Sequence, residues 1–276
     1  MKQADRPLPV TMRYNPFQIF KESKSPAGLY ARKHWLGESE NSAWCNDFNL
    51  TVSSLLVGQA ADGSWGQSPI ETVRRLFGLH LTLRDQTEDI HKALDWLISQ
   101  TLTDDLSGPY LEDLASDAFR GLPFIKAQQP LVFVCATLFL ASVFHLENDE
   151  AVEAHYRLLT HWLARHAENS ELWPEKSNVL RALIVHPVYA NDPTTLSLVD
   201  DLANIQKPSG VWPAPIPFFH TLNALAHLQS EAAHRQWLAA FPLLSNVQKK
   251  DGTWGSEDQE WNTFLVVHAL KNKQCL

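Results

Sequence analysis

Along this chain, amphipathic stretches alternate with stretches that are apolar nearly all round. Amphipathic segments fall near residues 43–57, 86–100, 150–168, 193–206 and 231–248, with apolar positions at helical spacing. Between them lie segments near 69–84, 128–147, 175–187, 215–230 and 258–272. Leu131-Val132-Phe133-Val134-Cys135-Ala136-Thr137-Leu138-Phe139-Leu140 typifies the second kind. A helix apolar on every face is buried on most of them. Taken in pairs, the two kinds predict five helical hairpins, each with an outer, amphipathic helix and an inner, apolar one. Pro109 to Phe119, or the N-terminal Phe17 to Leu36, is expected to furnish part of a sixth and close a ring.

The joints between outer and inner helices repeat. Gln59-Ala60-Ala61-Asp62-Gly63-Ser64-Trp65-Gly66 returns as Gln248-Lys249-Lys250-Asp251-Gly252-Thr253-Trp254-Gly255. A worn copy reads Gln206-Lys207-Pro208-Ser209-Gly210-Val211-Trp212-Pro213, and Glu171-Leu172-Trp173-Pro174 is the remnant of a fourth. In the other three copies a Thr (Thr72, Thr221 or Thr263) follows the Trp by seven to nine residues and opens the apolar run; in the fourth Asn178 does so, five residues after Trp173. Asp-Gly supplies an Asx-type hydrogen bond and a residue free to take positive φ, so Gly63 and Gly252 are expected to cap the outer helices. The Trp should wedge neighbouring hairpins together, and the Gln should bond the adjoining turn. A single hairpin cannot bury its apolar face, so the units must stack.

A repeated Gln-x-x-Asp-Gly-Ser/Thr-Trp-Gly turn between helix pairs resembles the QW repeats of squalene-hopene and other class II terpene cyclases, whose relatives include the β subunits of protein prenyltransferases. The resemblance runs from about Ser54 to Leu276. It implies an all-α fold, an α/α toroid of about five to six helical hairpins, with parallel inner helices around a central funnel. Residues 43–276 would form the toroid and residues 1–42 a helical extension that closes it. The function it implies is a cyclase-like or prenyl-transfer-like enzyme acting on an apolar isoprenoid with an anionic or polar head. The alternative is a non-catalytic toroid that holds a lipid or a protein partner, because one fold hosts many functions.

The family's chemistry does not carry over by motif. The cyclases' Asp-x-Asp-Asp acid is absent: Asp104-Asp105, Asp200-Asp201 and Asp258 lack its spacing. The prenyltransferases' zinc-binding Asp-x-Cys would need an Asp where Phe133 precedes Cys135. No metal and no cofactor is therefore expected. The complement-type thioester segment Gly-Cys-Gly-Glu-Gln is missing as well.

In such a toroid the inner helices would all start at one end of the funnel. Their unpaired N–H groups and dipoles would suit an anionic head, with the apolar interior taking a hydrocarbon tail. Glu71, His220 and Asn262 occupy the slots preceding Thr72, Thr221 and Thr263. Glu71 and His220 are the expected catalytic groups, one as an acid held in an apolar funnel, the other as general base or phosphate donor, with a metal-ligand role the weaker alternative. Arg74, Asn178, Arg181, Phe219, Asn223, Trp261 and Asn262 are the expected substrate-binding residues. Asn178 and Arg181 share a helix face, and Arg181 offers a bidentate fork. Most of these polar residues have a plainer role open to them as a helix cap or first-turn group, Arg181 equally one as a solvated outer-face side chain, and the aromatics one as core.

Composition limits the rest. With 276 residues, 45% of them hydrophobic, the chain can bury a full core. A net charge of −8 argues against a nucleic-acid partner. Three dispersed Cys and a start without an apolar run predict a cytoplasmic protein, and no stretch is long and apolar enough to span a membrane. A hydrophobic small molecule is the expected partner, with a peripheral membrane contact or a protein partner compatible.

Overall fold

The computed structural model describes residues 12–276 except 104, 105, 107–110 and 116. Among the described residues the secondary structure is helical, and eleven α-helices follow one another. They are α1 (Pro26–His34), α2 (Ser42–Leu56), α3 (Pro69–Thr82), α4 (Glu88–Thr101), α5 (Leu131–Val143), α6 (Glu150–Arg165), α7 (Trp173–Leu183), α8 (Pro193–Ile205), α9 (Phe218–Ala226), α10 (Glu231–Val247) and α11 (Gln259–Asn272). The odd-numbered helices pack side by side in the order α1, α3, α5, α7, α9, α11 and back to α1. The even-numbered helices lie outside this ring, each against at least one of its sequence neighbours. The result is an α/α toroid with six inner and five outer helices among the described residues.

Local sequence explains the boundaries. Ser25, Ser68, Thr87, Asp149 and Ser230 each accept a first-turn backbone N–H with their side chains, and Pro26, Pro69 and Pro193 sit where a helix needs no N–H. α5 is buried from Leu131 to Ser142, as its all-round apolar run requires. The outer helices bury a single stripe, Ile90, Ala93, Leu94 and Leu97 in α4 for example.

The repeated turn works as a lock between hairpins. Gln59 Nε2 donates to the carbonyl of Gly63 (2.9 Å) in its own turn and to that of Asp89 (2.8 Å) in the next outer helix. Gln206 does the same with Gly210 and Gln236, and Gln248 with Gly252 and Tyr14. Asp62 and Asp251 each accept from the backbone and hydroxyl two residues on. Gly63 and Gly252 are not helix caps, since α2 and α10 have already ended at Leu56 and Val247. They close a tight turn instead, donating to the carbonyls of Ala60 and Lys249. Thr72 and Thr263 hold the far side of that lock through their hydroxyls, which accept from the backbone N–H of Trp65 and Trp254.

The Trp side chains differ in one respect. The indoles of Trp212 and Trp254 donate to the carbonyls of Leu202 and Leu244, ten residues back. Trp65 makes no such bond. Arg75 takes its place, donating to the corresponding Leu55 carbonyl at 3.0 Å with its guanidinium 5.6 Å from the Trp65 ring centroid.

Candidate functional site

The connector between α4 and α5 runs across the starting ends of the inner helices. Glu112 accepts from Ile70 N–H (2.6 Å) and from Ser68 Oγ (2.8 Å) at the start of α3. Further along, residues 117–125 form a strap fastened by side chains of four inner helices. Arg74 of α3 donates to the Ala118 carbonyl (2.7 Å). Asp258, which precedes α11, accepts from Gly121 N–H (3.0 Å). The indole of Trp261 and Nε2 of His220 both reach the Leu122 carbonyl, at 3.0 and 3.2 Å. Asn178 of α7 accepts from Ile125 N–H and donates to Ile125 O. Phe119, Leu122 and Phe124 are buried beneath these bonds.

The polar ring expected at the mouth of the funnel therefore exists in part, and what it holds is the chain's own backbone. Arg74, Asn178, His220 and Trp261 converge on the strap. Burial pushes the His220 imidazole down to about 4, assisted by the Arg181 charge. Neutral at physiological pH, it serves as a plain N–H donor to Leu122.

Other expected residues lie elsewhere. Glu71 is half-exposed, bound to Arg75 Nε at 2.7 Å, and lines none of the cavities. No hydrogen bond or ion pair joins it to His220. Asn262 donates to the Glu257 carbonyl (2.8 Å), and Phe219 packs edge-on against Phe218. Arg181 and Asn223 do meet: Arg181 Nη1 donates to Asn223 Oδ1 and Nη2 to the His220 carbonyl, both at 2.8 Å. Asn223 in turn donates to Leu265 O (2.9 Å) and lies 3.3 Å from His268 Nδ1.

That pair faces a central cavity of about 350 Å³ whose walls draw on all six inner helices. Its floor is Pro123 of the strap with Phe77 and Trp261, and its sides carry Tyr30, Phe139 and Phe264. The rim lies at the finishing ends of the inner helices, where Arg84 and His227 are exposed. Among the described residues no Asp or Glu lines the cavity. Arg181, 4% exposed, has no carboxylate partner among the described residues, and burial pulls it to about 10, so it stays charged at neutral pH. His80 and His268 are pushed to about 4, chiefly by burial, and then by the Arg84 charge for His80 and the Arg181 and Arg84 charges for His268. His227 lies beside His268, with 5.2 Å between their ring centroids. Nδ1 of His80 is buried without a partner. The chamber is thus aromatic, net positive and supplied with neutral imidazoles, an environment for an apolar molecule with an acidic group.

Sequence reasoning placed Arg181, Asn223 and Trp261 around the funnel but passed over His80, His268 and Arg84. A signal was present. Leu79-His80-Leu81, Ala226-His227-Leu228 and Val267-His268-Ala269 each set a His between two apolar residues late in an inner run. Two further histidines, His155 and His186, are buried outside the chamber. His155 lies between the carbonyls of Ala151 and Thr103, each 2.7 Å away.

No family model matches the chain, and no curated protein is recognisably similar to it in sequence. Solved structures are similar in fold. A protein from Actinoplanes shares 18% identity at a TM-score of 0.57, over 92% of this chain and 90% of that one. Two variants of the type II terpene cyclase MstE from Scytonema also align. One, solved in complex with its substrate geranylgeranyl dihydroxybenzoate, has 12% identity and a TM-score of 0.58 over 92% of this chain and 87% of its own. The other, with its product merosterolic acid A, has 13% identity and a TM-score of 0.57 over 92% and 88%. At such identities the likeness establishes a shared terpene-cyclase-like fold.

Proposed function

We propose that this toroid binds an apolar, isoprenoid-type small molecule with an anionic head in its central cavity. Arg181 would take the head, with His80, His227 and His268 around it, and Phe77, Phe139, Trp261 and Phe264 would wall the tail. The observation that carries this reading is Arg181, a buried guanidinium with no carboxylate partner, opening onto an aromatic chamber without an acidic side chain among its described lining. A buried charge without a counter-ion is costly, and an acidic ligand would relieve that cost. A neighbour of the same fold holds a geranylgeranyl dihydroxybenzoate, a prenyl chain on an acidic head.

Binding is favoured over cyclisation because an olefin must be protonated by a strong acid, and no carboxyl group lines the cavity among the described residues. Neutral imidazoles do not supply that proton. The aromatic faces nevertheless suit a carbocation, so conversion is the second reading, and product analysis after incubation decides it.

Titration calorimetry with geranylgeranoic acid and geranylgeraniol, which share a tail, tests the proposal. Tight binding of the acid, at least about tenfold weaker binding of the alcohol, and loss of that preference in Arg181→Met are expected. Failure of the native protein to bind either would overturn it.

A further inference from the structure

Three hollow spaces meet at one side chain. The central cavity of about 350 Å³ lies on one side of Trp261. On the other lie two clefts that flank the strap at the starting ends of the inner helices, of about 460 and 610 Å³. Among the described residues, Trp261 alone belongs to the walls of all three. Phe77 and Leu81 are shared by the central cavity and the 460 Å³ cleft, so the partition there is one side chain thick.

We infer that Trp261 is a specificity-determining residue: its indole is the wall that limits how long a tail the central cavity accepts. The reading rests on the proposed isoprenoid ligand and adds the rule by which length is read. The indole is well placed for the task. Its Nε1–H is anchored on the Leu122 carbonyl at 3.0 Å. One face stacks on Phe264, with centroids 5.2 Å apart and planes at 10°. Phe77 meets it edge-on at 5.6 Å and 88°. A ring held on three sides does not swing aside without losing all three contacts. A tail entering past Arg84 at the rim therefore runs down the aromatic walls and stops at the indole. Beyond it the 460 Å³ cleft offers Leu55, Pro26 and Ala27 as apolar walls, so removing the indole would extend the chamber into space that already exists and is mostly apolar.

Isoprenoid acids of two, three, four and five units, sharing one carboxylate head, are the probes. In the native protein each added unit should tighten binding about tenfold or more until the tail reaches Trp261, after which the gain per unit falls below about threefold. In Trp261→Ala the tightening should continue for at least one further unit. In Trp261→Phe, which keeps a wall but drops the Leu122 bond, the native limit should persist. Phe77→Ala thins the same partition without touching the strap, should lengthen the limit likewise, and carries the test if Trp261→Ala loses its helical circular dichroism. The inference is overturned if the native protein and both alanine variants level off at the same length, or if the native protein shows no limit. Absence of binding to the native protein at every length is a different result, and it defeats the ligand reading itself.

Discussion

Gln248 and Tyr14, 234 positions apart in sequence, exchange two hydrogen bonds. Gln248 Nε2 donates to the Tyr14 carbonyl at 3.0 Å, and its Oε1 accepts from Tyr14 N–H at 3.1 Å. The same amide donates to Gly252 O at 3.1 Å. In the other two locks the second acceptor belongs to an outer helix, at Asp89 and at Gln236. At the seam, among the described residues, no outer helix follows α11, and the segment around Tyr14 takes that role. The two ends of the chain are thereby clasped and the ring is closed.

Gln248→Ala should lower stability by about 2 kcal/mol, since it strips partners from the backbone groups of Tyr14 and Gly252 in a largely buried setting. Chemical denaturation measures it. Hydrogen exchange should rise at the Tyr14 amide in particular, because that bond spans the seam.

Gly252→Ala should cost more than Gly66→Ala. Both glycines have positive φ, +88° and +62°, which costs any L side chain about 1 kcal/mol. A Cβ on Gly252 would also stand 2.0 Å from the Asn15 carbonyl oxygen, whereas one on Gly66 meets nothing within 4 Å. A difference of at least about 1 kcal/mol in unfolding free energy is the expected outcome, and equal costs would remove the seam contact from the account.

Acid should unfold this protein earlier than its carboxylates alone predict. His80, His220 and His268 bind a proton only near pH 4 when folded but near their ordinary 6.5 when unfolded. Between those values the unfolded state holds more protons. Their contribution to stability is therefore full above about pH 6.5 and is lost as pH falls towards 4. His80→Phe, placed among Phe77, Phe139 and Phe144, should flatten that slope and make the protein about 1 kcal/mol more stable than the native form at pH 5. Melting temperature against pH for the two proteins is the measurement.

Asn178→Ala should free the strap without unfolding the ring. Asn178 is 1% exposed and supplies both bonds to Ile125. Their loss should cost about 2 kcal/mol, and the Ile125 amide should exchange faster while the amides of buried α5 keep their protection. Uniform loss of protection would instead make Asn178 part of the global core.

Much of the architecture was legible because it rests on short-range physics. The apolar run from Leu131 to Leu140 could only be a buried inner helix, and the recurring Gln, Gly and Trp marked three joints that share one Gln-to-Gly hydrogen bond. The expected segments match helices to within a few residues, since capping and periodicity are local. Glycine roles were misassigned because the peptide between helix end and Asp-Gly is long enough to form a separate turn, and no pattern of side chains records that.

The site was settled by tertiary structure. Which polar residues line a funnel depends on what fills its mouth, and the filler is a strap from the connector between α4 and α5, distant in sequence from every side chain that holds it. His220 and Asn178 carry the polarity expected at a binding mouth, yet the Leu122 and Ile125 backbone occupies them. Arg181 shows the reverse: its sequence surroundings allowed a solvated helix face as readily as a phosphate fork, and only the closed ring buries it in a chamber that no carboxylate of the described residues lines. The sequence by itself determined the hairpin, its turn and the need to stack, because each follows from neighbours along the chain. The tertiary structure alone decided which end of the funnel is open and which charges are left uncompensated, because burial and pairing are properties of residues brought together from all round the ring.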